Sequence, residues 1–232
     1  MTEIIYNAEK TELNRLTVEI IQDSINKILE TQPQVNLAIP GGKSVLGIYE
    51  QLKDADLPWK KVHIFMADER LVHIEHPDSN FRSANELFID HLKSTAKIPK
   101  INVHPFYVNV MVPDYGTEQY EAQLRDAGGN FDIVLVSAGQ DGHIAALFPN
   151  HPTIMEDSDY FLAITNAPDP PLDRVTSTKN LILRSKVGIV LFYDEIKREA
   201  YKNFLDENVK IDKCPAKLIS QIDKAYVITN LK

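Results

Sequence analysis

Apolar positions along this chain follow two rhythms. Between residues 11 and 30, Leu13, Leu16, Ile20, Ile21, Ile25, Ile28 and Leu29 recur at steps of three and four. That spacing predicts an amphipathic helix with one face on a core, ended near Pro33. Short, nearly continuous apolar runs follow at 35–39, 62–67, 103–108, 131–138, 187–193 and 225–229. Runs of this length, rich in Val and Ile, predict strands buried on both faces of a parallel sheet. Residues 4–6 and 160–165 read as shorter strands. Helical patterns lie between the strands: 44–52, 81–92 behind a Ser79-Asn80 cap, 114–126, and a last one, with Asp194 as its cap, that runs through Ala200, Tyr201, Phe204 and Leu205. Strands alternating with helices predict an α/β fold: one domain over residues 1–232, a mostly parallel, Rossmann-like sheet with helices on both faces.

The stretch at 131–149, FDIVLVSAGQDGHIAALFP, organises the rest. A buried strand stops abruptly at Gly139 and Gly142, which bracket Gln140 and Asp141, and His143 follows. Such a turn delivers polar side chains to the carboxyl edge of the sheet, where open α/β sheets bind ligands. Two other strand ends carry polar groups. The strand at 35–39 runs into Pro40-Gly41-Gly42-Lys43-Ser44; two glycines and a following helix start suit an anion such as phosphate. The spacing fits neither a P-loop nor GxGxxG, so a nucleotide is not indicated. The strand at 62–67 ends in Asp68-Glu69-Arg70, three charges that are costly to bury unless paired or used. Each stretch has a plainer reading: a tight βα turn, or for Asp68-Glu69-Arg70 a solvated loop with an Asp–Arg pair.

Further cations sit near helix starts or in stiff loops. Arg82 and Lys197 lie in the first turns of predicted helices, against the helix dipole, where a bound anion would hold them; for Arg82 a simple surface arginine serves as well. Arg174 follows Ala167-Pro168-Asp169-Pro170-Pro171. Together, Gly41, Gly42, Lys43, Ser44, Arg82, Arg174 and Lys197 suit a phosphorylated small molecule, with Asp68, Asp141 and His143 as acid–base groups. An imidazole is suited to proton transfer near neutrality. No Ser or Cys nucleophile stands in a recognisable elbow, so water is the expected nucleophile.

Composition narrows the classes. The chain has 232 residues, 44% of them hydrophobic, which argues against disorder. It carries 25 Lys and Arg against 33 Asp and Glu, a net charge of −8; a general nucleic-acid binder would need a basic face. No apolar run approaches the roughly 18 residues of a membrane span, and the N-terminal stretch lacks a signal-peptide core. The single Cys214 reads as a small buried thiol, consistent with a cytoplasmic protein. There is no CxxC or HExxH, and the seven histidines are scattered, so neither metal nor cofactor is expected.

Three stretches, LAIPGGKSVLGIYEQL, PWKKVHIFMADERLV with HPDSNFRSANELF, and FDIVLVSAGQDGHIAALFP, resemble in order and spacing the 6-phosphogluconolactonases of the pentose phosphate pathway, within the wider glucosamine-6-phosphate isomerase/deaminase superfamily. The likeness runs from about Asn36 to Lys202. The DER triplet, the SNFR helix start and the DGHIAALFP ending are similar to the lactonase branch; the deaminase branch typically has Tyr at the Arg70 position and Asn-Glu-Pro at Leu147-Phe148-Pro149. The resemblance implies hydrolysis of 6-phospho-D-glucono-1,5-lactone without metal or cofactor. It implies His143 as general base, Asp141 positioning it, Arg70 stabilising the oxyanion and Asp68 on sugar hydroxyls or assisting proton transfer. The glycine loop with Arg82, Arg174 and Lys197 would hold the phosphate and the polar end of the substrate.

Some positions depart from the family pattern. Lys43 and Val45 stand where a small or basic residue and a Pro are usual. The passage before Arg174 lacks a frequent Lys, and Lys197 follows Tyr193-Asp194 where a Gly-containing turn is usual. The segment from about Asp206 carries no recognisable motif. A glucosamine-6-phosphate deaminase, and a sugar-phosphate-sensing module without catalysis, are the alternative expectations.

Overall fold

The computed structural model describes residues 2–232. Its strands are β1 (Thr2–Tyr6), β2 (Val35–Ile39), β3 (Val62–Met66), β4 (Asp68–Arg70), β5 (Val103–His104), β6 (Ile133–Ser137), β7 (Phe161–Ile164), β8 (Arg174–Ser177), β9 (Val187–Phe192) and β10 (Lys224–Thr229). Seven form one sheet in the order β1-β10-β9-β6-β2-β3-β5, with every pairing parallel. The α/β expectation is met. All five residues of β2 are buried, as are the first four of β6. Side chains alternate between faces: Ile133 and Leu135 enter one core, Val134 and Val136 the other. The seven helices are α1 (Lys10–Leu29), α2 (Leu46–Leu52), α3 (Asn80–Ala84), α4 (Asp90–Ser94), α5 (Thr117–Asp126), α6 (Lys179–Leu183) and α7 (Arg198–Leu205). Helices α1 and α2 cover the face of Ile133, and α7 covers the opposite face with Ala200 and Phe204.

β2 and β6 are neighbours, but the chain leaves them in opposite directions: β2 is followed outward by β3 and β5, and β6 by β9 and β10. This is the switch point at which two loops diverge and leave a crevice between them. The loops are the Gly41–Ser44 and Gly139–His143 stretches.

Five local expectations are corrected. Asp68-Glu69-Arg70 is not a loop; it is β4, antiparallel to β8, with Asp68 opposite Thr176 and Arg70 opposite Arg174. The strand expected at 160–165 is β7, which pairs with β8 in this small second sheet and not in the main one. The strand expected at 103–108 stops after His104, because Pro105 offers no backbone N–H to a ladder. Asp194 does not cap the following helix with its side chain; it pairs with Lys10 at 2.9 Å. The helix expected at 81–92 is present, but it widens to a π turn over Asn85–Ile89 between α3 and α4.

Candidate active site

A cleft of about 520 Å³ opens where the β2, β3, β6 and β8 ends meet, bordered by Ile196 and Lys197 ahead of α7. It gathers Gly41, Gly42, Lys43, Ser44, Asp68, Arg70, Asp141, His143, Arg174 and Lys197. Ten of the eleven residues singled out in the sequence therefore line one space. The eleventh, Arg82, does not. It lies in a separate and larger groove of about 920 Å³, with Nε on Glu86 at 2.7 Å and Nη1 on the Glu75 carbonyl at 3.1 Å. Ser79 Oγ accepts from the Arg82 backbone N–H as the helix cap, and an i,i+4 carboxylate meets the charge. No external anion is needed to explain this arginine.

The β6 loop builds an acid–imidazole pair. Gly142 has φ 89°, a left-handed angle that glycine adopts without a steric penalty. The resulting turn brings Gly139 N–H onto the His143 carbonyl at 2.8 Å. Asp141 Oδ1 then takes the His143 backbone N–H at 3.1 Å and meets its ring Nδ1 at 2.6 Å. A carboxylate only accepts, so Nδ1 carries the proton of the neutral ring and Nε2 is left as the basic nitrogen. Burial works to raise the Asp141 carboxyl, but the hydrogen bonds and charge of His143 outweigh it and hold it below the usual carboxylate range. The wholly buried Phe148 lies tilted against the imidazole, ring centres 4.7 Å apart, and also carries the Arg174 guanidinium 5.4 Å from its centre. From behind, Ala216 N–H donates to the Gly142 carbonyl at 2.9 Å. The Cys214 thiol, pushed up to about 11 by burial, packs against the same glycine.

The β2 loop forms the floor of the cradle. Gly42 has φ 91°. The helix start expected there is a 3-10 turn, Lys43–Val45, before the seven-residue α2, so the positive character of the cradle rests on lysines more than on a helix terminus. Lys197 reaches across from the turn before α7 and donates to Ser44 Oγ at 2.9 Å and Ser137 Oγ at 2.7 Å. Burial pushes it down to about 8, with Asp194 working against that and Lys10 adding to it. Two neutral hydroxyls hold this ammonium, which leaves its charge available to an anion.

The small sheet supplies the third wall. Arg174 is only 6% exposed. It is fixed by its own loop: Nε donates to the Pro171 carbonyl at 2.9 Å, and Nη2 to that of Asp169 at 3.1 Å. Burial lowers its affinity for a proton, and Asp68 opposes this. Arg70 donates to the Asp78 carbonyl at 2.6 Å, and its buried Nε has no partner among the described residues. Glu69, between Asp68 and Arg70, is structural. Its carboxylate takes the backbone N–H groups of Arg70, Asn80 and Phe81 and the Ser79 hydroxyl, so it ties β4 to α3; burial raises it, against those hydrogen bonds. Asn80, Ser137 and Phe148 also serve the site and were not singled out as site residues. All three lay inside the motifs quoted above, Asn80 as part of a helix cap and Ser137 as part of a buried strand. Among the described residues no group of three or more His, Cys, Asp or Glu is gathered as a metal site.

A family profile described as "Glucosamine-6-phosphate isomerases/6-phosphogluconolactonase" matches residues 8–228. The chain belongs to this family. The match extends through the C-terminal segment in which no motif was recognisable. A 6-phosphogluconolactonase of Thermotoga maritima is 36% identical over 163 residues, 69% of this chain and 70% of that protein. One of Borreliella burgdorferi is 27% identical over 230 residues, 99% of this chain and 96% of that protein. The crystal structure of 6-phosphogluconolactonase from Thermotoga maritima superposes with a TM-score of 0.83 at 28% identity, covering 99% of this chain and 98% of that one. No helix among the described residues is long and apolar enough to cross a membrane.

Proposed function

We propose that this chain hydrolyses 6-phospho-D-glucono-1,5-lactone to 6-phospho-D-gluconate, the lactone-opening step of the oxidative pentose phosphate pathway. The observation that carries the mechanism is the 2.6 Å contact between Asp141 Oδ1 and His143 Nδ1, in a cleft that also holds a lysine shared by two serines. The relatives named as 6-phosphogluconolactonases support the substrate.

In this reading Gly41, Gly42, Lys43, Ser44 and Lys197 hold the phosphate. His143 Nε2 takes a proton from water as the water oxygen bonds to the lactone carbonyl carbon, and Asp141 steadies the imidazolium that forms. The carbonyl π electrons move onto oxygen, where Arg70 offers a guanidinium to the developing oxyanion. The tetrahedral intermediate collapses, the ring C–O bond breaks, and the departing alkoxide takes the proton from the imidazolium. Asp68 orients sugar hydroxyls or assists proton transfer, and Arg174 faces the polar end of the substrate. Protons pass between water, the imidazole and, where it assists, the Asp68 carboxylate, so the scheme calls on no metal and no redox group. The chain works as one domain, on a small sugar phosphate and not on nucleic acid, given a net charge of −8. A reducing cytoplasm suits its one buried, unpaired cysteine.

The test is acid release from freshly made 6-phosphogluconolactone, above the spontaneous rate and with chelator present. Fast turnover that drops about 10²- to 10⁴-fold in His143→Ala, with an unchanged melting temperature, supports the reading. No acceleration by the unaltered chain refutes it, and ammonia release from glucosamine 6-phosphate would then identify deaminase chemistry.

A further inference from the structure

Asn80, the first residue of α3, is 2% exposed and borders the cleft. Its backbone N–H is held by Glu69 Oε1 at 2.7 Å. Its side-chain Nδ2 donates twice to one residue, to the Asp68 carbonyl at 3.0 Å and to the Asp68 carboxylate Oδ2 at 3.1 Å. Both partners are acceptors, which fixes the orientation of the amide. Among the described residues this is the only hydrogen-bond donor on the Asp68 carboxylate, which is itself only 7% exposed.

The other end of the amide meets the glycine cradle. A Cβ built on Gly41 would lie 1.8 Å from Asn80 Oδ1 and 2.1 Å from its Cγ. Gly41, unlike Gly42, has no left-handed φ. Glycine at 41 therefore answers to the close approach of Asn80 and not to a backbone angle. One planar amide spans the distance between the cradle loop and the acid at the end of β3.

We propose that Asn80 is a positioning residue for the reaction: its amide fixes the orientation of the Asp68 carboxylate and sets the spacing between that carboxylate and the Gly41–Gly42 turn. The proposal rests on the reading of Asp68 as a group that works on the substrate. A buried carboxylate held by one donor loses that fixed direction when the donor is removed. Asn80→Asp keeps the shape of the side chain and replaces the donor with a second carboxylate about 3 Å from the first. Asp68 is also faced by Arg174 from β8, by Glu69 and Arg70 on its own strand and by Tyr49 from α2. These surroundings stay constant across the variants below.

The experiment is a crystal structure of the unaltered chain, Asn80→Asp and Asn80→Ala. It is read beside kcat, KM and melting temperature. The expected result is an Asp68 carboxylate turned from its place in the unaltered chain in both variants, furthest in Asn80→Asp, with kcat down at least tenfold and KM changed less than about threefold. Gly41→Ala should lower kcat strongly alone and at least tenfold less when made on Asn80→Ala, where the obstructing amide is gone. Folded variants whose Asp68 carboxylate is unmoved, or a Gly41→Ala effect that is the same in both backgrounds, would overturn the proposal. Failure of the unaltered chain to open the lactone would instead overturn the proposed function, and the crystal structures would still decide the role of Asn80.

Discussion

Gly139→Ala adds a single methyl group beneath the acid–imidazole pair. An ideal Cβ there falls 2.2 Å from both Cε1 and Nδ1 of His143 and 2.8 Å from Asp141 Oδ1. Non-bonded contact needs about 3.5 Å, so the imidazole must retreat by on the order of 1 Å. The φ of Gly139 is not left-handed, so alanine brings no backbone strain. The His143 side chain is 22% exposed and can swing toward solvent instead of forcing the loop open. Stability should change by less than about 1 kcal/mol, as for substitutions that bury nothing and break no core contact. Catalysis should suffer. A misplacement of about 1 Å can cost about 100-fold, and a general base deprived of its partner costs up to about 10⁴-fold. We expect kcat to fall about 10²- to 10³-fold, about 3–4 kcal/mol in the barrier. KM should stay within about threefold, because the phosphate cradle is untouched. Initial rates of lactone opening and a thermal melt decide it. A variant that melts like the unaltered chain and keeps kcat within threefold would refute the claim that the observed place of His143 is the working one.

Two further predictions concern pH. Lys197 is held down to about 8 by burial, so the free enzyme loses a cation from the cleft as pH rises through that value. After subtraction of spontaneous hydrolysis, kcat/KM should fall up to about tenfold per pH unit above it. Lys197→Arg should abolish that limb, since a guanidinium stays charged; a limb unchanged in the variant would assign it to another group. His104 contacts His63 at 3.0 Å and Gln123 at 3.1 Å and stacks on Phe65. Burial pushes it down to about 4, against about 6.5 in an unfolded chain. Between those values the unfolded state binds the extra proton, so stability should drop as pH falls from about 6.5 to 4, by about 3 kcal/mol in total. His104→Gln should remove most of that drop in urea melts at pH 7 and pH 4.5, and an equal drop in both proteins would exclude His104 as its source.

The parts of this molecule legible in the sequence are those set by short-range pattern. The β2 and β6 strands announce themselves because both faces are buried, so each apolar run is broken by a single polar residue, Asn36 in β2 and Ser137 at the end of β6. The loops after them were legible because glycine marks a sharp stop. β4 was not: three charged residues have no periodicity, and their antiparallel pairing with β8 depends on a partner about a hundred residues away. The holding of Lys197 by Ser44 and Ser137 likewise joins positions 153 and 60 residues apart, and nothing local encodes it. Arg82 is a different case. Its position suggested an awaiting anion, yet Glu86 stands four residues on, and that spacing was itself a visible signal for a local pair. Asp194 was read as a cap from its residue type; its φ of 72° and its bond to Lys10 depend on how the ends of α1 and β9 meet.

The pairing of β1 with β10 has a consequence for biosynthesis. β1 leaves the ribosome before the other nine described strands, and the strand it pairs with is β10, which leaves after them. At about 5–20 residues per second, β1 waits on the order of ten to forty seconds with its backbone donors unmatched. The Ala216 N–H that holds the Gly142 carbonyl emerges almost as late. The nascent chain can thus lay down β2, β3 and β6 and bring the two glycine loops together while its edge strand is unpaired and the Gly139–His143 turn unsupported. Completion of the sheet and bracing of that turn then arrive together, so the same late event that closes the fold also readies the chemistry.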